Sequence, residues 1–368
     1  MARGDTASLS EQVKKHSKKK VEEKSTKVRR DQLVPSGSTL LDLACSNSMH
    51  GAFKLGTMIN TIGDKSSGKT LLNLSMLAEC ARLDRFKDFR LVFDDVEAAN
   101  AFDMVGMFGR KLADRITPPL KHQRSDTVKD FQTNMIKEIQ REKPFIYVLD
   151  SFDALTTDEE IDRAYAIANG TKEKGSMGMQ KAKGGHELFR VMCRDLESAG
   201  SLLSIISQVK EETDVMSFKK YKRTGGKALD FYAFHHIWLF MTGKIKDGER
   251  VTGHNVMCKV EKNKLTGSER DIYYDTYNTY GIDDIASMVD FMVTEKQWSK
   301  DTADDEDETK KKSARGRKKA PSKRAIITVP EFDLVGKREQ IIQSIDEAQL
   351  DRKLKDSYKK PGLRLRIP

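Results

Sequence analysis

From about Leu33 onward, short apolar runs alternate with segments of helical periodicity. The runs "GTMINTIG" (Gly56–Gly63), "FRLVFDD" (Phe89–Asp95), "PFIYVLD" (Pro144–Asp150) and "SLLSIISQ" (Ser201–Gln208) are short and almost continuously apolar, and they read as buried strands. Between them, "TLLNLSMLAECARL" (Thr70–Leu83) and the stretch Glu187–Ser198 carry apolar residues at helical spacing. Strands alternating with helices predict an α/β fold with a mostly parallel, twisted sheet flanked by crossover helices. Further on, "NVMCKVEKNK" and "RDIYYDTY" alternate polar and apolar positions, as antiparallel strands added at one edge would. The apolar run Phe231–Phe240 is expected to be another strand of that sheet.

The polar text divides the chain. Residues 1–32 are crowded with lysine and arginine and predict a basic N-terminal arm or helix, a candidate subunit contact. Residues 33–298 hold the strand–helix alternation and form the core. At Ser299 the composition changes: "DTADDEDET" is acidic and "KKKSARGRKKAPSKR" basic, and neither can bury a core. Residues 299–324 are therefore expected to be a disordered mixed-charge linker. In residues 325–368, Ile341, Ile342, Ile345 and Leu350 recur at helical spacing and predict a short C-terminal helical segment. The polar stretch 209–226 inside the core is too long for an ordinary connection, and loops of that length are usually functional or disordered, while 166–185 reads on composition alone as a plain flexible loop.

Charge sharpens this picture. Lys plus Arg number 66 against 56 Asp plus Glu, a net charge of +10, which suits a polyanionic partner. The four cysteines are scattered with no C-x-x-C and no histidine at metal spacing, so neither zinc nor a disulfide framework is expected. No apolar run approaches membrane-spanning length, and a cytoplasmic protein without a membrane partner is expected.

The strongest chemical signal is "GDKSSGKT": Gly63, Asp64, Lys65, Ser66, Ser67, Gly68, Lys69 and Thr70. It matches G-x-x-x-x-G-K-[ST], the Walker A phosphate loop, and lies between a strand and a helix, the context that motif requires. Its backbone N–H groups would cradle phosphate oxygens at a helix N-terminus. Lys69 would reach the β- and γ-phosphates, and Thr70 would hold Mg²⁺ through its hydroxyl. Asp150, ending the strand "FIYVLD", is the expected acidic partner of the magnesium ion. Asp94, Asp95 and Glu97 end a neighbouring strand at the edge where ligands of α/β sheets bind, and Glu97 is the candidate base for a water nucleophile.

The segments "PSGSTLLDLA", "DVEAAN", "YVLDSFDALTTDEEID", the "SQ" before the 209–226 loop, "TGGKALDFYA" and "VEKNK" occur in an order that resembles the RecA-type homologous recombinases, phage members included, over roughly residues 33–293. "TGGKALDFYA" is the most discriminating of them, because many unrelated ATPases share the phosphate loop. The resemblance implies a RecA-like ATPase core using ATP and Mg²⁺. It implies helical homo-oligomeric filaments on single-stranded DNA, pairing with homologous duplex DNA, and strand exchange in recombination and repair. A single-strand-binding or mediator protein is a further implied partner, and the location implied is the nucleoid, or the host cytoplasm for a phage protein.

By the same resemblance Gln208 senses the γ-phosphate and couples it to the second DNA-binding loop, 209–226. There Lys219, Lys220, Lys222 and Arg223 can neutralise backbone phosphates. One of Val215, Met216 and Phe218 would insert between bases, while Gly225 and Gly226 let the chain lie close to DNA. The first DNA-binding loop would fall within 166–185, with Lys172, Lys174, Lys181, Lys183, Met177 and Met179 in a segment that orders on a polyanion. Lys262 and Lys264 would reach across to a neighbouring subunit's ATP, in the manner of arginine fingers. Met104 stands where the family's adenine-stacking aromatic is expected. Two other classes share the core: a hexameric DNA helicase or motor, and a DNA-binding recombination mediator.

Overall fold

The structure is a computed structural model that describes residues 28–119, 123–169, 178–211, 221–223, 227–301 and 325–358. A short antiparallel pair, β1 (Leu33–Val34) and β2 (Phe53–Lys54), brackets helix α1 (Thr39–Ser46) at the entrance to the core. Then come β3 (Thr57–Gly63), α2 (Lys69–Arg82), β4 (Arg90–Asp95), the short helices α3 (Met104–Phe108) and α4 (Arg110–Ala113), and β5 (Ile116–Thr117). Helix α5 (Val128–Gln140) leads to β6 (Phe145–Asp150), and α6 (Asp158–Ala168) and α7 (Gly178–Ala199) lead to β7 (Leu202–Glu211). The chain continues through β8 (Tyr221–Arg223), α8 (Lys227–Tyr232), β9 (His235–Asp247), β10 (Arg250–Asn263), β11 (Arg270–Tyr277), β12 (Gly281–Ile282) and α9 (Asp284–Thr294).

The main sheet runs β12-β11-β10-β9-β3-β7-β6-β4-β5, with β8 paired to β7 off that path. From β9 through β3, β7, β6 and β4 to β5 the pairing is parallel, and from β9 to β12 it is antiparallel. The apolar runs are continuous because both sheet faces are covered. Ile59, Leu91, Phe93, Ile146, Val148 and Ile206 pack with α2 on one face. On the other, Met58, Val92, Tyr147, Leu149 and Ile205 pack with Phe131 and Met135 of α5 and with Phe189, Met192 and Leu196 of α7. Capping boxes start α5 at Thr127–Asp130 and α6 at Thr157–Glu160, reciprocal bonds that fix where each crossover helix begins.

Three expectations change. The run Phe231–Phe240 is not one strand: α8 carries it to Tyr232, and β9 starts at His235. Ser299–Asp301 is a strand, β13, rather than the start of a linker; residues 302–324 lie outside the described residues. The C-terminal part is more than a short helix. Strand β13 pairs with β14 (Ile326–Val329) and β14 with β15 (Leu334–Lys337), followed by α10 (Arg338–Glu347) and α11 (Asp351–Ser357). Trp298, 2% exposed, joins Ile327, Val329, Ile341, Ile345 and Leu354 to Met288, Val289 and Met292 of α9 and Leu43 of α1. The Arg338 guanidinium also grips Asp290 of α9 at 2.6 and 3.0 Å. Among the described residues no helix is long and apolar enough to cross a membrane. Residues 1–27, most of the basic arm, lie outside the described residues.

Candidate active site

Strand β3 delivers the phosphate loop to the edge of the sheet where the parallel strands end. A Cβ on Gly63 would sit 2.4 Å from Ser67 Oγ and 2.7 Å from the Leu239 carbonyl, so only glycine fits where the loop doubles back. Ser66 (φ 61°) and Gly68 (φ 89°) adopt left-handed backbone, and α2 starts directly after, at Lys69. Asp64 closes the turn: its carbonyl accepts from Ser67 N at 3.2 Å and its Oδ1 from Lys65 N at 2.7 Å. Ser67 is buried, yet its Oγ has no partner among the described residues. A cradle closed to side chains, with an unpaired buried hydroxyl at the N-terminus of a 14-residue helix, fits a phosphate group.

Lys69 folds back over this cradle, and its Nζ donates to the Asp64 carbonyl at 2.7 Å. Burial lowers its pKa, against the pull of Asp150, Glu97, Asp64 and Asp153, which favour the ammonium. Thr70 Oγ1 donates to Asp150 Oδ2 at 2.5 Å. Burial pushes the Asp150 carboxyl up to about 6; Thr70 opposes this, the charges of Glu97 and Asp95 add to it, and Lys69 opposes it. A hydroxyl beside a buried carboxylate that lacks a full counter-charge is a donor set suited to a hard divalent cation such as Mg²⁺, with the remaining oxygens drawn from phosphate and water.

The structure separates the carboxylates of "FDDVEAAN". Asp94 does not face the edge. It is fully buried, accepting from Tyr147 Oη at 2.5 Å, Ser125 Oγ at 2.6 Å and Ser125 N at 2.9 Å, and burial raises its pKa. Asp95 accepts from the backbone of Ala99 and Asn100. Glu97 is exposed at the edge, and its Oε1 accepts from Ser151 Oγ at 2.6 Å and Gln208 Nε2 at 2.7 Å. Ser151 was invisible as a site residue, since a serine after a strand carries no signal of its own. Gln208 pairs with Gly63 across the β3–β7 ladder, and Asp95 with Asp150 across β4–β6. Lys69, Thr70, Asp150, Glu97 and Gln208 thus converge on one edge.

Beside the loop lies a cleft of 450 Å³ lined by Ser66–Leu71 and, among others, Phe102, Met107, His254, Tyr277 and Asn278. Met104 does not line it; its sulfur lies 3.9 Å from Asn100 Nδ2, and its chain packs against the core beneath α3. Phe102 and Tyr277 are the aromatics at the cleft, both too far from the phosphate loop in sequence for local text to expose them.

Lys262 and Lys264 are not at this edge cluster. Lys262 Nζ donates to the Asp230 and Phe231 carbonyls, and Lys264 Nζ to the Phe231 carbonyl at 3.2 Å, at the C-terminal end of α8. The first candidate loop is shorter than expected: α6 runs to Ala168 and α7 begins at Gly178, so Met179, Lys181 and Lys183 are helical, while Lys172, Lys174 and Met177 lie outside the described residues. Gly184 and Gly185 lie inside α7, whose packed apolar residues begin at Leu188. The second candidate loop is partly paired, Glu211 with Tyr221, Lys210 with Lys222 and Val209 with Arg223. Val215, Met216, Phe218, Lys219, Lys220, Gly225 and Gly226 lie outside the described residues.

A glycine-lined phosphate cradle at a strand–helix junction, facing an acidic strand end on a mostly parallel sheet, defines the P-loop class of nucleotide-binding proteins. The model of the RecA N-terminal domain matches residues 6–283, and the chain belongs to the RecA family. It is 28% identical over 269 residues to Protein RecA of Thioalkalivibrio sulfidiphilus, covering 73% of each chain. It is 29% identical over 269 residues to Protein RecA of Allochromatium vinosum, covering 73% of this chain and 72% of that one. Protein RecA of Azoarcus sp. is 29% identical over 269 residues, 72% of this chain and 71% of the relative.

Proposed function

We propose that the protein is an ATP-dependent DNA recombinase that assembles as a helical filament on single-stranded DNA and exchanges strands with homologous duplex. The observation that carries this reading is the hydrogen bond from Gln208 to Glu97. It joins the candidate base, beside the phosphate loop, to the strand from which the 209–226 loop departs.

The residues act in sequence. The loop amides and Ser67 Oγ receive the terminal phosphates, and the Lys69 ammonium exchanges the Asp64 carbonyl for phosphate oxygens. Thr70 and Asp150 would hold Mg²⁺, which when bound neutralises charge on the phosphates. Glu97, held by Ser151, orients a water and accepts its proton. The Gln208 amide leaves Glu97 for a γ-phosphate oxygen, and β7 carries that movement into its pairing with β8. Lys262 and Lys264 leave the end of α8 and meet the ATP of an adjacent subunit, so hydrolysis requires assembly. The cationic groups of 166–185 and 209–226 contact the DNA backbone, and DNA affinity falls steeply with salt.

Lys69→Ala tests the reading. ATP turnover stimulated by single-stranded DNA should vanish, and turnover persisting in that variant overturns the assignment. A wild-type protein that binds single-stranded DNA without DNA-stimulated turnover would instead be a mediator.

A further inference from the structure

We propose that Asp153 is a positioning residue for Gln208: its carboxylate pins the backbone of that glutamine so that a swing of the side chain is passed into the DNA-facing hairpin. The inference rests on the reading of Gln208 as the γ-phosphate sensor.

Strand β6 accompanies β7 from Ile146↔Leu202 to Leu149↔Ile205 and then ends, while β3 continues alongside β7 as far as Gly63↔Gln208. Beyond Ile205, β7 has no strand on the β6 flank among the described residues before it pairs with β8. After Asp150 the chain turns through Ser151 into a single 3-10 turn, Phe152–Ala154. That turn brings Asp153 Oδ2 to 2.6 Å from Gln208 N, which donates to it. On that flank a carboxylate accepts the bond from Gln208 N. Two acidic side chains therefore hold Gln208 at separate points, Asp153 at the backbone and Glu97 at the side-chain amide. The Asp153 charge also favours the Lys69 ammonium, though less than those of Asp150, Glu97 and Asp64.

These two holds have different consequences. The bond to Glu97 must break for the amide to reach a phosphate. The bond to Asp153 involves only the main chain and can persist through the change. With the backbone of Gln208 anchored, a rotation of its side chain reorients Val209–Glu211 and with them the paired Tyr221–Arg223. Without the anchor, the end of β7 can slide, and the rotation is absorbed before it reaches the hairpin. Asp153 therefore sets how strongly nucleotide state and DNA affinity are coupled.

The test measures that coupling directly. The dissociation constant for a fluorescein-labelled single-stranded oligothymidine is determined with and without a slowly hydrolysed ATP analogue, for wild type, Asp153→Ala, Asp153→Asn and Gln208→Ala. Thermal unfolding is followed for each variant. The coupling ratio, affinity with nucleotide over affinity without, should fall about tenfold in Asp153→Ala, within the usual range of allosteric couplings. Asparagine keeps an acceptor oxygen and should restore the ratio to within about threefold of wild type, about 0.65 kcal/mol. If Asp153→Ala lowers both affinities equally and leaves the ratio intact, Asp153 is only a cap on a strand end and the inference fails. If Gln208→Ala itself leaves the ratio intact, the sensor reading fails and the inference with it. Loss of the ratio in Gln208→Ala with an unchanged ratio in Asp153→Ala overturns the inference alone.

Discussion

Replacing Glu97 with glutamine isolates chemistry from structure at this site. Glu97 is exposed, and its Oε1 accepts from Ser151 at 2.6 Å and Gln208 at 2.7 Å. A glutamine Oε1 can accept both bonds, so the native contacts persist and folding stability should change by less than about 0.5 kcal/mol. The negative charge that Glu97 exerts on Asp150 disappears, which favours ionised Asp150 and with it cation binding. What is lost is the capacity to take a proton from water. A positioned base contributes roughly 10²–10⁴ in rate, about 3–5 kcal/mol of barrier. The assay is steady-state phosphate release from ATP with saturating single-stranded DNA, beside binding of a slowly hydrolysed analogue and a thermal melt. Turnover should fall at least about a hundredfold with nucleotide binding no weaker and the melting temperature unchanged. Hydrolysis within about threefold of wild type, less than any positioned base contributes, would refute the assignment of Glu97 as base. Loss of nucleotide binding together with turnover would also refute it, showing a structural role instead.

Asp42 is 1% exposed, and burial pushes its carboxyl up to about 8 despite Lys355 and Ser36. The native state therefore keeps a proton that the unfolded chain releases above 3.8, and stability should fall by about 1.4 kcal/mol per pH unit between about 4 and 8 from this group. Asp42→Asn should flatten that slope in urea melts at pH 5, 6 and 7; parallel slopes for the two proteins would contradict it. Trp298→Ala, which empties the joint between α9 and the C-terminal sheet, should cost about 3–5 kcal/mol and expose that sheet to limited proteolysis, whereas wild-type resistance would contradict the packing. Gly68→Ala meets nothing within 4 Å, so its cost is the left-handed backbone at φ 89°, about 1–2 kcal/mol. A lower melting temperature and weaker nucleotide binding are expected, and an unchanged protein would remove the conformational argument for that glycine.

The parallel centre of the fold was legible because β3, β4, β6 and β7 are buried on both faces and their text is continuously apolar. The phosphate loop was legible because chemistry fixes both its residues and its spacing. Side-chain direction was less so: Asp94 and Glu97 look alike in sequence, yet Asp94 lies within β4 and is buried against Tyr147, whereas Glu97 lies two residues past the strand end, exposed at the edge. The boundary inside Phe231–Phe240 was hidden because α8 and β9 are both apolar there, and no proline or glycine marks the change. The C-terminal sheet was missed because its first strand, Ser299–Asp301, runs into acidic text, so only the buried Trp298 and the short run "IITV" signalled a core. Ser151 and Asp153 had no signal at all, since each acquires its meaning from a partner more than fifty residues away.

The central claim, assembly on DNA under nucleotide control, is tested most directly by electron microscopy of the protein on long single-stranded DNA with magnesium and a slowly hydrolysed ATP analogue. Continuous helical filaments that disappear when the nucleotide is withheld are the predicted result. Closed rings on the DNA, or bare DNA with scattered particles, would contradict it.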